Sequence, residues 1–318
     1  MPSSNPPAIN AATRLCAVFG SPIKHSASPA MHNAAFAELN LNWRYLAFEV
    51  DPKNLRAAIA GARAMNFAGI NLTVPHKLLA VDMVDELDAS AKIWGAVNTI
   101  QFISGNDGTV RAIGYNTDAD GLAHSLRDDL ELDLRGAKVL LLGVGGAGRT
   151  AALKLAAEKV AELFLVNRTQ TKAESVAAEI KKLFPSVKVF AGYPGGAPVS
   201  DPARLKSGHQ RAGPETGAPT LDLVLNATSL GLKADDASPL DEKKFPLKQT
   251  RAAYDMIYQP AETAFLHAAK AAGCQTANGI GMLVGQGAKA FEIWTGQTAP
   301  LAVMRRAVEE NVYGGAKS

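Results

Sequence analysis

The stretch Val139-Leu-Leu-Leu-Gly143-Val-Gly145-Gly146-Ala147-Gly148 decides the fold. A short apolar run ending in a glycine cluster reads as a strand followed by a tight turn. The segment Gly146–Glu158, rich in Ala and Leu, reads as the helix behind it. In a strand–glycine turn–helix unit, the free N–H groups at the helix start can meet a pyrophosphate. Taken alone, the glycines would serve tight strand-to-helix packing equally well. The next strand, Glu162–Asn167, ends at Asn167-Arg168-Thr169, where the adenosine ribose of a dinucleotide would fall. An NAD-selective site places an acid there. This chain has Arg168, with Lys172 close by, an arrangement suited to a ribose 2′-phosphate. The competing reading of Arg168 is a surface arginine at the start of the next helix.

Outward from this loop, strand and helix patterns alternate. Before it lie Arg14–Gly20 (strand), Pro29–Asn40 (helix), Trp43–Val50 (strand), Pro52–Met65 (helix) and Phe67–Val74 (strand), with a helix opening at Pro75. Ala96–Ile103 and Thr109–Tyr115 read as two strands joined by a turn, and Thr117-Asp-Ala-Asp120 opens a helix to about Leu130. After the loop come Thr171–Phe184 (helix), Val187–Ala191, Leu221–Ala227 and Arg251–Ile257 (strands), and helices from Ala261, Ile280 and Pro300. This alternation implies an α/β protein built on mainly parallel sheets. A chain of 318 residues is long for one core, so two domains are expected. The Gly- and Pro-rich stretch Gly192–Pro219, helical at most over Asp201–Ser207, reads as a surface insertion rather than a lid.

Composition narrows the function. With 47% hydrophobic and 20% charged residues the chain is an ordinary globular protein. A net charge of +3 without basic runs argues against nucleic-acid or membrane partners and suits small anionic ligands. Cys16 and Cys274 give neither a disulfide framework nor metal-ligand spacing, so no metal is expected. The polar, Pro-containing first dozen residues resemble no secretory leader, and a cytoplasmic location is the expectation.

The first domain carries an unusual polar set. In Gly69-Ile-Asn-Leu-Thr-Val-Pro-His-Lys77, strand alternation points Asn71 and Thr73 to one face. Pro75 would occupy the first helical position, which sets the cation Lys77 at the positive end of a helix dipole. Either Lys77 swings out into water or it is set there for a purpose. Ser28 is the natural N-cap of the helix from Pro29, and a capping serine can also meet a carboxylate. His25 and His32 read as structural. Asp118 suits the first turn of its helix, and Asn98 is an uncommon residue inside a strand.

Together these segments resemble the shikimate dehydrogenase family. The resemblance rests on Ser21-Pro-Ile-Lys-His-Ser-Ala-Ser-Pro29, Gly69–Lys77, Gly95-Ala-Val-Asn-Thr99 and Gly114-Tyr-Asn-Thr-Asp118. It continues through the glycine loop, Asn167-Arg-Thr169, Asn226-Ala-Thr-Ser229, Tyr254-Asp-Met-Ile-Tyr258 and Gly279-Ile-Gly-Met-Leu-Val-Gly-Gln286, covering nearly everything from Arg14 onward. Two departures are a longer Gly192–Pro219 stretch and Gly287, where an alanine is common.

The resemblance implies an NADP-dependent oxidoreductase of aromatic amino-acid biosynthesis, interconverting 3-dehydroshikimate and shikimate. It implies a discontinuous substrate domain (residues 13–117 and 280–318, the C-terminal helices returning to it), a Rossmann-type NADP-binding domain (118–279) and a flexible tail (1–12). Lys77 and Asp118 would be the catalytic pair, the lysine protonating the alkoxide formed on hydride delivery. Ser26 and Ser28, with Tyr258 nearby, would hold the substrate carboxylate; Asn71, Thr73, Asn98, Asp118 and Gln286 would bond the ring oxygens. Gly143, Gly145, Gly146 and Ala147 would take the pyrophosphate, and Asn167, Arg168 and Thr169 the adenosine phosphate end, with Lys172 adding charge. Thr228, Met256 and Gly279 would lie near the nicotinamide ribose. The partner is a small molecule; the oligomeric state is left open, with a homodimer as the candidate. The nearest rival is a quinate/shikimate dehydrogenase with broader substrate or NAD use. A glutamyl-tRNA reductase would need a nucleophilic cysteine and a tRNA-binding extension, and a ligand sensor without chemistry would not need both Lys77 and Asp118.

Overall fold

The computed structural model describes residues 7–195, 221–233 and 235–314. The chain divides into two compact units, Met1–Leu122 with Ile280–Ser318, and Ala123–Gly279. The division falls inside a helix expected to open the second domain, so Asp118 stays with the first unit.

The first unit holds β1 (Arg14–Gly20), α1 (Ser28–Glu38), β2 (Trp43–Glu49), α2 (Leu55–Ala64), β3 (Gly69–Leu72), α3 (His76–Leu79), β4 (Glu86–Leu87), α4 (Ala89–Trp94), β5 (Thr99–Ser104) and β6 (Val110–Tyr115). It also holds the start of α5 (Asp118–Leu130), and later in the chain α9 (Ile280–Thr295) and α10 (Leu301–Tyr313). Its sheet runs β2-β1-β3-β5-β6-β4. β1 pairs in parallel with β2 and β3, whereas β5 is antiparallel to both β3 and β6. The sheet is therefore mixed, because the β5–β6 hairpin inserts a reversed strand. α10 and α9 pack on α1, and the Trp294 indole of α9 donates to the carbonyl of Ile100 at 3.0 Å. That indole lies over Gly69, where any Cβ would collide with it. The glycine that begins β3 is thus fixed by close approach of another element.

Several expected boundaries shift here. β3 stops at Leu72, and Thr73 lies beyond it, half-buried, its methyl against Gly20. Pro75 is the N-cap and not the first helical residue, and α3 is a single turn of four residues followed by a 3₁₀ turn. One turn carries almost no macrodipole, so the electrostatic misfit expected for Lys77 does not arise from the helix. α1 begins with Ser28 itself, and Ala27 occupies the cap without a side-chain bond. Asn98 precedes β5 instead of lying inside a strand. β4 and α4 were not expected; the latter is capped by Asp88, whose carboxylate accepts from the Ala91 N–H at 3.0 Å.

The second unit holds β7 (Lys138–Leu142), α6 (Gly146–Ala157), β8 (Glu162–Val166), α7 (Gln170–Leu183), β9 (Lys188–Ala191), β10 (Leu221–Asn226), β11 (Thr250–Asp255), α8 (Ala264–Ala271) and β12 (Gln275–Asn278). All its strands are parallel, in the order β12-β11-β10-β7-β8-β9. This is the doubly wound order, with its switch point between β7 and β10. Val139 to Leu142 are each at most 1% exposed, which explains the unbroken apolar run: both faces of the central strand are covered. Each such leucine contributes roughly 1.5–3 kcal/mol on burial. The expected Asp201–Ser207 helix lies outside the described residues, as do residues 1–6 of the expected tail.

Candidate active site

Lys77 and Asp118 meet at the site of the first unit. Lys77 Nζ donates to Asp118 Oδ2 at 2.6 Å, with side chains 30% and 16% exposed. The other carboxylate oxygen accepts from Asn98 Nδ2 at 2.9 Å. Asp118 opens the 13-residue helix α5, whose first-turn N–H groups favour an anion, and its own N–H donates to Asn116 Oδ1 at 3.1 Å. The carboxylate is thereby oriented on both oxygens, and the ammonium is held while keeping a face toward solvent. Such a pair can stabilise an oxyanion and hand it a proton.

Around this pair the expected ring-binding residues gather in different degrees. Asn71 is buried, its Oδ1 accepting from Tyr45 Oη at 2.6 Å and its Nδ2 donating to Asn98 O and Thr99 Oγ1 at 3.2 and 2.9 Å. Asn98 is buried too: its Oδ1 accepts from the Thr117 N–H at 2.8 Å and its Nδ2 also donates to Thr117 Oγ1 at 2.9 Å. Gln286 is brought against the first turns of α5, at Gly121, by a helix crossing. A Cβ on Gly121 of α5 would come within 2.6 Å of the Gln286 backbone nitrogen on α9. Sequence reasoning missed Gly121, although a glycine inside a helix costs about 1 kcal/mol and so points to close packing. The Gln286 amide donates to Leu283 O at 2.9 Å. Ser26 and Ser28 stand at the start of α1, the Ser28 N–H donating to Ser26 Oγ at 3.4 Å. Tyr258 belongs to the second unit, where burial raises its phenol pKa.

In the second unit the glycine loop follows β7 at the switch point. Gly143 has φ +89° and donates to Val166 O at 2.7 Å, and any Cβ on Gly148 would strike the Gly143 carbonyl. By contrast, a Cβ on Gly145 or Gly146 would meet nothing within 4 Å, and both stand exposed with Ala147 at the start of the 12-residue helix α6. The first and last glycines serve the turn and the packing, and the middle ones leave an open cradle of N–H groups for an anion. Asn167 fastens this loop to the end of β8: its Oδ1 accepts from the Val144 N–H at 3.1 Å and its Nδ2 donates to Thr169 O at 3.0 Å. Arg168, Thr169 and Lys172 are exposed beside it. This geometry fits a dinucleotide with a charged adenosine end.

The nicotinamide-side candidates hang on two buried residues that sequence reasoning assigned no role. Asn226 Oδ1 accepts from Thr228 N–H and Oγ1 at 2.9 and 2.7 Å, and its Nδ2 donates to Leu230 O and Asp255 Oδ1 at 3.1 and 3.0 Å. Asp255 further accepts from the Ile257 N–H and the Thr263 hydroxyl at 3.0 and 2.7 Å. Burial raises its pKa, against the opposing pull of these donors. The available signal was a polar residue closing each of two apolar strands. Gly279 packs where a Cβ would strike the Met256 carbonyl.

Among the described residues no group of three His, Cys, Asp or Glu could hold a metal ion, and no helix is long and apolar enough to cross a membrane. A doubly wound parallel sheet with an open glycine cradle, alongside a unit bearing a lysine–aspartate pair, defines a dinucleotide-dependent dehydrogenase. Family models described as the shikimate dehydrogenase substrate binding domain, shikimate / quinate 5-dehydrogenase and the shikimate 5′-dehydrogenase C-terminal domain match residues 18–100, 123–189 and 279–309. The shikimate dehydrogenase (NADP(+)) of Desulforamulus reducens is 39% identical over 311 residues, covering 96% of this chain and 98% of its own. A crystal structure of a shikimate dehydrogenase in complex with NADP+ superposes with a TM-score of 0.80 at 35% identity, covering 96% and 98% of the two chains. The ligand-free 5-ketofructose reductase of Gluconobacter sp. strain CHM43 does so at 0.78 and 33%, covering 95% and 99%. The chain belongs to the shikimate dehydrogenase family.

Proposed function

We propose that this protein catalyses the NADPH-dependent, reversible reduction of 3-dehydroshikimate to shikimate, a step toward the aromatic amino acids. The observation that carries the reading is the Lys77–Asp118 contact at 2.6 Å, a proton donor held by a fixed carboxylate. NADPH, when bound, supplies the hydride. As the carbonyl carbon receives it, Lys77 stabilises the charge growing on oxygen and transfers a proton there, giving the secondary alcohol. Asp118 keeps the ammonium in place, while Asn98 and the start of α5 hold Asp118. In the oxidative direction the same amine receives the hydroxyl proton. Ser26 and Ser28 are assigned to the substrate carboxylate, and Asn71, Thr73, Asn98 and Gln286 to the ring oxygens. Gly145, Gly146 and Ala147 are assigned to the pyrophosphate, Gly143 making the turn that presents them, with Arg168, Thr169 and Lys172 at the 2′-phosphate and Asn167 fastening the loop. Thr228, Met256 and Gly279 take the nicotinamide ribose.

The test is an assay of shikimate with NADP, following absorbance of the reduced cofactor, run beside quinate with NAD and 5-ketofructose with NADPH. Shikimate with NADP should give the highest kcat/KM by at least an order of magnitude; a preference for either other pair would reject the assignment. The end of β8 carries Arg168 and no acid, which favours NADP over NAD. A cytoplasmic location accords with two free, buried cysteines and is checked by cell fractionation.

A further inference from the structure

Beneath the candidate site a series of hydrogen bonds runs from Tyr45 to Lys77, and chemistry assigns the direction of each. Asn71 Nδ2 faces the carbonyl of Asn98 at 3.2 Å, which can only accept, so this corner of the amide is the NH2 group and the other is the oxygen. Tyr45 must therefore donate its proton to Asn71 Oδ1, at 2.6 Å. The second Nδ2 proton of Asn71 goes to Thr99 Oγ1 at 2.9 Å. At Asn98 the Thr117 N–H, a donor only, marks Oδ1 as the oxygen, at 2.8 Å. Thr99 consequently directs its own hydroxyl proton to Asn98 Oδ1, at 3.1 Å. The Asn98 NH2 group then faces Asp118, and Asp118 faces Lys77.

Thr99 is fully buried, as is Tyr45. Its single hydroxyl accepts from one asparagine and donates to the other, so it ties the two side-chain amides together. We infer that Thr99, anchored through Asn71 by Tyr45, is a positioning residue for substrate recognition: it holds the two amides that frame the ring site and, through Asn98, the Asp118 carboxylate that faces Lys77. This rests on the reading, made above, that both asparagines contact substrate. Removing the hydroxyl while keeping the volume leaves an N–H of Asn71 and a lone pair of Asn98 facing a methyl group. The link between the two side-chain amides is lost, leaving Asn71 to Tyr45 and the Asn98 carbonyl, and Asn98 to Thr117 and Asp118.

The experiment compares Thr99→Val, Thr99→Ser, Tyr45→Phe and Asn98→Ala in the full chain. Steady-state kinetics for shikimate is combined with NADPH binding by fluorescence titration. Thr99→Val should raise the KM for shikimate about five- to tenfold and leave the NADPH dissociation constant within about twofold, and Thr99→Ser should recover most of the loss. Tyr45→Phe, which deletes one oxygen on the same series, should act in the same direction. Because Tyr45 also bonds Ser28, Thr99→Ala, which deletes the same hydroxyl, is read in place of Thr99→Val should that variant fail to fold. A hydroxyl serving stability alone would lower the unfolding midpoint with KM unchanged. Wild-type KM in Thr99→Val and Tyr45→Phe, beside a damaged Asn98→Ala, would overturn the inference alone. A wild-type KM in Asn98→Ala would overturn the underlying site reading, and the inference with it.

Discussion

Lys77 and Asp118 stand 41 residues apart in the chain and 2.6 Å apart in space, on α3 and at the opening of α5. Replacing the lysine with alanine removes the proton donor but no part of the glycine cradle. Lys77→Ala should lower kcat about 10³-fold while the NADPH dissociation constant, measured by fluorescence titration, stays near wild type. Activity within tenfold of wild type would remove Lys77 from the chemistry.

Arg168 is exposed at the end of β8, beside a loop already fastened by Asn167. Arg168→Ala should raise the KM for NADPH about 10- to 100-fold and that for NADH by no more than about twofold, since only the former carries the 2′-phosphate. Equal changes with the two cofactors would reject the 2′-phosphate role.

His32 lies fully buried against Tyr45, with ring centroids 4.3 Å apart, and neither ring nitrogen meets a hydrogen-bonding partner among the described residues. Burial lowers its pKa from 6.5 to about 3. The folded chain therefore keeps it neutral where the unfolded chain binds a proton. From about pH 6.5 downward the unfolded state holds more protons, so this residue costs about 1.4 kcal/mol of stability per pH unit until the folded value is reached. His32→Phe keeps the stacking and removes the titration. Urea unfolding at pH 7 and pH 5 should show the variant losing less stability than wild type on acidification; parallel losses would contradict the account.

Met31 fills the space beside Gly287: a Cβ there would collide with its terminal methyl. Gly287→Ala sets a helix-propensity gain of about 1 kcal/mol against displacement of that flexible end, so it should leave stability within about 1 kcal/mol of wild type. Adding Met31→Leu, which lacks that terminal carbon, should make the alanine more stabilising than it is beside Met31. A double-mutant cycle on unfolding free energies measures the coupling, and strict additivity would refute it.

How much of this was legible beforehand depended on the kind of signal. The cofactor-binding sheet was readable because a strand buried on both faces must be apolar throughout, and a loop at an anion must be glycine-rich. The candidate pair was visible only through resemblance. The local argument for Lys77 assumed a helix with a dipole, and α3 is a single turn. Its charge is met instead by a carboxylate 41 residues away, which no local pattern encodes. Asn226 and Asp255 went unassigned for a related reason. They act on other side chains, so their spacing carries no message until β10 and β11 lie side by side. The short β4 and α4 were missed because two to six residues hold too little periodicity to register.

The packing of Met31 against Gly287 also constrains the routes by which this chain can change. A side chain gained at position 287 first meets an occupied space. A shortened residue at position 31 opens a gap that such a side chain then fills. The two positions thus share one volume, and a change of size at either is felt at the other.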